Sequence, residues 1–121
     1  MAHDFTQLHF WMRSKNFYSE IYQQTNIFPK EELFGLTSQM RRCSVSIASN
    51  IAEGSSRSSQ KDFARFLEIS IGSAYELETQ LLIARDIGYL DDVKTQHLLK
   101  ELKEIILMTS SFKGKLKIHS S

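Results

Sequence analysis

The chain has one cysteine, one proline and only five glycines in 121 residues. A single cysteine excludes an internal disulfide framework and CxxC redox chemistry. So little proline and glycine leaves room for long uninterrupted helices. It argues against a many-stranded sandwich, which needs frequent turn residues. Neither sign of charge dominates: fifteen Lys and Arg stand against fourteen Asp and Glu, a net charge of +1. That excludes a strong global attraction to nucleic acid or to an anionic membrane, and leaves only local patches. No run approaches the ~18 apolar residues of a membrane span, and the N-terminal stretch has no signal-type apolar region. The expectation is a soluble, cytoplasmic chain with no membrane partner.

What is present suits one folded domain spanning residues 1–121. Hydrophobic residues make up 41% and charged residues 24%. The length is enough to bury a core without disulfides or a metal.

Four segments carry helical periodicity. The first runs from about Thr6 to Thr25, with Phe10, Phe17 and Ile21 in one apolar row and Leu8, Trp11, Met12, Tyr18 and Tyr22 beside it. Pro29 breaks it and is placed to open a new turn. The second runs from about Leu33 to Glu53, with Leu36, Met40, Cys43, Ile47, Asn50 and Gly54 at spacings of four and three. Gly54 is the predicted helix stop. Ser59 and Asp62 resemble a capping box at the start of the third segment. There Phe63, Leu67, Ser70, Ala74, Leu77, Leu81 and Ala84 form a heptad-like stripe, and Phe66, Ile69, Ser73, Ile83 and Ile87 a second one. Small residues at Ser44, Ser46, Ala48 and Ser49 and at Gly72, Ser73 and Ala74 predict a close approach of the second and third helices. Gly88 is the next stop. Asp91 and Asp92 are both plausible caps for the fourth segment, whose row is Leu98, Leu102, Ile105, Thr109 and Phe112. Its Ile105–Met108 stretch is more apolar than one buried face requires. This predicts either self-association or a broad intramolecular contact. Four such helices with short connections form an all-α, antiparallel up-down-up-down four-helix bundle.

Enzyme signatures are missing: no GxSxG, HExxH, Walker loop or GxGxxG occurs, and no cofactor fingerprint. His3, His9, His97 and His119 form no i,i+3 or i,i+4 pair for a metal. The Glu-x-x-His pattern of di-iron bundles fails, because neither Glu101 nor Glu104 has a histidine three residues later. Cys43 lies in an apolar row and reads as a small buried hydrophobe. No catalytic residue and no metal ligand is assigned.

The polar residues on otherwise apolar rows are more informative. Asn50, Glu53, Glu76 and Gln80 read as a structural polar network between the second and third helices, with Arg41 or Arg42 paired to Glu76 or Glu53. Residues 41–65 carry a local charge of +3 through Arg41, Arg42, Arg57, Lys61 and Arg65, whereas residues 76–92 carry −4. Lys113, Lys115 and Lys117 follow in the tail. Repeated around an oligomer, weak basic patches gain affinity by avidity.

Asn50-Ile51-Ala52-Glu53-Gly54, preceded by Gln39-Met40-Arg41-Arg42 and Ser46-Ile47, forms a distinctive stretch. With it come Phe63-x-x-Phe66-Leu67, Gly72-Ser73-x-x-Glu76-Leu77-Glu78-x-Gln80-Leu81 and Gly88-Tyr89-Leu90, together with Phe28-Pro29 ahead of the second helix. In these motifs the chain resembles the 23S rRNA intervening-sequence protein family, whose proteins are encoded within inserts of some bacterial 23S rRNA genes. That family is in turn similar to the accessory variability determinant of diversity-generating retroelements. The resemblance implies a homopentameric barrel of four-helix bundles and no known enzymatic activity. The retroelement relatives resemble basic scaffolds that bind a reverse transcriptase and nucleic acid, and this chain departs from that basic character.

The expected function is therefore a non-enzymatic, homo-oligomeric scaffold with weak RNA or DNA binding through Arg57, Lys61 and Arg65, extended by Arg41 and Arg42. A scaffold for a protein partner alone is the alternative, and a cryptic enzyme is the remote one.

Overall fold

The computed structural model describes residues 4–118. His3 and His119 lie outside the described residues. Four helices account for most of the described chain: α1 (His9–Thr25), α2 (Leu36–Ser55), α3 (Gln60–Asp86) and α4 (Asp92–Gly114). Short 3-10 turns at Phe5–Gln7 and Lys30–Glu32 precede α1 and α2, and no strand occurs among the described residues.

Contacts run around the ring α1–α2–α3–α4–α1, with no diagonal pair, and α2 against α3 is the most extensive. Every adjacent pair is antiparallel, because partner numbers fall as residue numbers rise. Between α2 and α3, Ser46 meets Ser73 and Cys43 meets Gln80. Between α1 and α4, Phe10 meets Phe112 and Glu20 meets His97. Between α3 and α4, Glu68 meets Lys113 and Arg85 meets Asp92. This is the up-down-up-down order that short connections favour.

The apolar stripes place the core. Phe10, Phe17 and Ile21 of α1 are buried, as are Met40, Ile47 and Ile51 of α2. The whole first stripe of α3, from Phe63 to Ala84, is buried, and so are Leu98, Leu99, Leu102, Ile105 and Ile106 of α4. Both Ile105 and Ile106 are thus accommodated within the protomer, while Leu107 stays exposed. The buried row of α2 runs through Met40, Ser44, Ile47, Ile51 and Gly54. Cys43 and Asn50, expected in that row, are half-buried beside it.

The helix ends follow local chemistry. Ser59 Oγ accepts from the Asp62 N–H at 3.1 Å, and Asp91 caps α4 by accepting from the Lys94 N–H at 2.7 Å. Gly88 has φ +86°, and the Tyr89 N–H returns to the Ala84 carbonyl at 2.8 Å, so glycine stops α3 through the left-handed conformation. The Tyr89 hydroxyl then donates to Glu32 Oε2 at 2.8 Å, tying the α3–α4 turn to the segment before α2.

Gly54 does not stop α2, which continues to Ser55. Its role is steric. A Cβ there would lie 2.7 Å from Phe66 Cβ and 2.9 Å from Phe63 Cδ1. The absent side chain lets α3 start directly against the end of α2. Gly72, by contrast, has nothing within 4 Å of a Cβ position, so the close approach lies at Ser70, Ser73 and Ala74 and not at Gly72.

Gly54→Ala should therefore cost about 1–3 kcal/mol by overpacking. Gly72→Ala should stabilise α3 by about 0.5–1 kcal/mol, since a mid-helix glycine loses more entropy on folding. Urea unfolding of the two variants checks the pair, and equal effects would contradict the packing described here.

Candidate functional site

Two groups of polar side chains come from the sequence, and the fold treats them differently. The first is the seam between α2 and α3. Asn50 Nδ2 donates to the Ser46 carbonyl and hydroxyl, both at 2.9 Å, and Ser46 Oγ lies 2.9 Å from Ser73 Oγ across the helices. One turn below, Ser70 Oγ donates to the Ile47 carbonyl at 2.8 Å. Toward the other end, Gln80 Nε2 donates to Cys43 Sγ at 3.4 Å, and the thiol faces Glu76 Oε2 at 3.6 Å. The small hydroxyls let the helix backbones approach and also satisfy one another. Ser44 Oγ and Gln80 Oε1 are buried without a hydrogen-bond partner among the described residues.

The expected ion pair from Arg41 or Arg42 to Glu76 or Glu53 does not form. Arg41 faces α1, where Nε donates to Thr25 Oγ1 at 3.0 Å and the guanidinium sits 4.0 Å from the Tyr22 ring centre. Arg42 points to solvent. Glu53 pairs with Arg57 at 2.6 Å, one turn away. Helical periodicity explains this. Arg41 and Cys43 are two residues apart and so lie on different sides of α2.

The second group is basic, and it divides. Arg42 and Ser55 are about 20 Å apart along α2 at ~1.5 Å per residue. Arg41 and Arg42 thus belong to one end of the bundle, and Arg57, Lys61 and Arg65 to the other. Arg57 is held by Glu53 and stacks 4.7 Å from the Phe66 ring centre. Lys61 and Arg65 are exposed and carry no ion pair among the described residues. Ser55 and Ser56 hydroxyls donate to the Ala52 and Glu53 carbonyls, both at 2.7 Å, and so cap α2.

Sequence reasoning missed the strongest long-range polar contact. Arg13 of α1 donates through Nε to Glu101 at 3.0 Å and through Nη2 to Glu104 at 3.1 Å, and also approaches Met108 Sδ at 3.4 Å. The only available signal was the one arginine of α1, with carboxylates spaced by three on α4. A second missed feature is an exposed apolar surface. It is formed by Leu33 and Phe34 with Tyr18 and Val45, and is flanked by Arg41 and Arg42.

No group of three or more His, Cys, Asp or Glu placed to hold a metal occurs among the described residues. No helix among the described residues is long and apolar enough to cross a membrane. Burial pushes the Cys43 thiol above its ordinary range. The Glu76 charge and hydrogen bond add to this, and the Gln80 hydrogen bond opposes it. Only the thiolate attacks an alkylating agent. Cys43 should therefore react more slowly with iodoacetamide near pH 8 than a free thiol, and Glu76→Gln should speed the reaction. Alkylation at the free-thiol rate, unchanged by Glu76→Gln, would contradict that environment.

Comparison with known proteins bears on the fold and the family. No curated protein matches the chain. Among solved structures it is similar to a protein of unknown function from the S23 ribosomal protein family of Bacteroides thetaiotaomicron. The TM-score is 0.81 at 23% identity, over 88% of this chain and 96% of that one. That likeness shows a shared fold. The family model described as 23S rRNA-intervening sequence protein matches residues 6–111. This span holds all four helices up to Ser111 and both polar groups above. The chain belongs to the 23S rRNA-intervening sequence protein family.

Proposed function

We propose that this protein is a non-enzymatic, homo-oligomeric helical scaffold of the cytoplasm. In this reading it assembles as a homopentameric barrel and holds RNA or DNA weakly through basic patches repeated around the assembly. The observation that supports it is the large apolar surface left uncovered on two segments of the chain, around the start of α2 and along α3. On one, Phe34 is 94% exposed, with Leu33 at 50% and Val45 at 46%. On the other, Tyr75 and Ile83 of α3 and Ile87, the residue just after it, are all about half exposed. Burying a large apolar side chain stabilises by about 1.5–3 kcal/mol, so such patches favour association. Two different patches on one protomer suit a head-to-tail contact, which closes into a ring when the rotation permits. Five is the number that the family resemblance implies, and kinship with the retroelement accessory determinant belongs to the same proposal.

A ring repeats Lys61 and Arg65 on every protomer. Avidity then lifts a contact that is weak on one copy. The rival reading keeps the scaffold and replaces nucleic acid by a protein partner. It draws support from Glu78 and Asp91, which carry no ion pair among the described residues.

Light scattering at micromolar concentration should give five copies of the 14.0 kDa chain, about 70 kDa. Phe34→Ser should weaken association about tenfold or more at each contact while the protomer stays folded by circular dichroism. A monodisperse single-chain mass for the wild type would overturn the ring.

A further inference from the structure

The end of the bundle where α3 begins holds an arrangement that the basic window in the sequence does not describe. The chain after α4 folds back onto the start of α3, where the Lys117 N–H donates to Gln60 Oε1 at 2.6 Å. This places Lys117 and Lys61 on the same cleft, of about 530 Å³, together with Ser59, Gln60 and Ile118. Arg65 follows Lys61 by one helical turn on the exposed face. Two neighbouring cations are already neutralised, Arg57 by Glu53 and Lys113 by Glu68 at 3.0 Å. Lys61, Arg65 and Lys117 carry no ion pair among the described residues, and Asp62 is the one carboxylate in the first turn of α3.

We propose that Lys61, Arg65 and Lys117 form a single three-point cradle for the phosphates of a nucleic-acid backbone, with Lys117 delivered by the segment after α4. The inference rests on the nucleic-acid reading above and deepens it. Like charges gathered around one cleft repel, and a polyanion relieves that repulsion. The start of α3 adds a positive helix end of the same sign. Base stacking has no platform here, because Phe66 lies under Arg57 and Phe63 is buried. Binding is therefore through phosphates and independent of sequence.

The test is fluorescence anisotropy of a short labelled single-stranded RNA with the full chain, as salt rises from about 50 to about 200 mM. Each phosphate contact to a single strand contributes about 0.7 to the logarithmic salt slope. Three contacts on one protomer then weaken binding about twentyfold over that range, and two contacts about sevenfold. Lys117→Gln should lower both the affinity and the slope to the two-contact value. Lys117→Arg should restore them, and Lys94→Gln at the opposite end should change neither.

If Lys61→Gln weakens binding and Lys117→Gln does not, the cradle is overturned and the broader nucleic-acid reading stands. If the wild type fails to bind at the lowest salt, both fall. Displacement by inorganic phosphate beyond the effect of equal ionic strength would also overturn the cradle, in favour of a small-anion site. Circular dichroism checks folding, although Lys117 lies outside every helix and its substitution leaves the core untouched.

Discussion

The close approach of α2 and α3 is the constraint on which the rest of the bundle depends. Two helices carrying Leu or Phe at the crossing would be held apart by those side chains. Here Ser46, Ser70, Ser73 and Ala74 occupy it, and a Ser70 hydroxyl reaches the backbone carbonyl of Ile47 on the neighbouring helix. Gly54 extends the approach to the end of α2, where even a methyl group would collide with Phe63 and Phe66. The large apolar side chains are thereby directed to the opposite face of the pair, where α1 and α4 cover them. The α1–α4 contact is slighter. It is held by the Phe10–Phe112 ring contact at 5.0 Å and by Arg13 bridging two carboxylates of α4.

Antiparallel topology also sorts the charge. The start of α3 and the end of α4 fall at the same end of the bundle, so Gln60 and Lys61 meet residues numbered more than fifty places later. The turn between α3 and α4 falls at the other end, where Asp86 and Asp92 pair with Arg85 and Asp91 caps α4. A chain with a net charge of +1 thus presents a locally basic end. The apolar surface around Phe34 belongs to the opposite end, beside Arg41 and Arg42. Assembly and phosphate binding, as proposed here, therefore use separate parts of each protomer and do not compete for surface.

The helices, most of their buried rows and their caps were legible in the sequence. A helix repeats every 3.6 residues, and burial of an apolar row outweighs any other choice of face. Ser59, Gly88 and Asp91 act through bonds within a few residues of themselves, so their roles are local. Gly54 was misread for the same reason: a glycine near a helix end has a local meaning as a stop, while its actual meaning is the distance to Phe63 and Phe66.

What only the tertiary structure decided is the destination of long polar side chains. Arg41, Arg57, Glu53 and Arg13 each reach several ångströms from the backbone, and many partners lie within that reach. A few tenths to about one kcal/mol separate the choices at an exposed site, far less than the energy that places the helix itself. Arg41 therefore went to Thr25 and Tyr22, Glu53 went to Arg57, and Lys117 came to rest beside Lys61. Their pairing follows from which helices are neighbours and in what register. Sequence alone determined four amphipathic helices and the small residues that let two of them touch. The three-dimensional packing determined which charges were neutralised and which were left facing solvent, because short-range electrostatics depends on distances that only the folded chain defines.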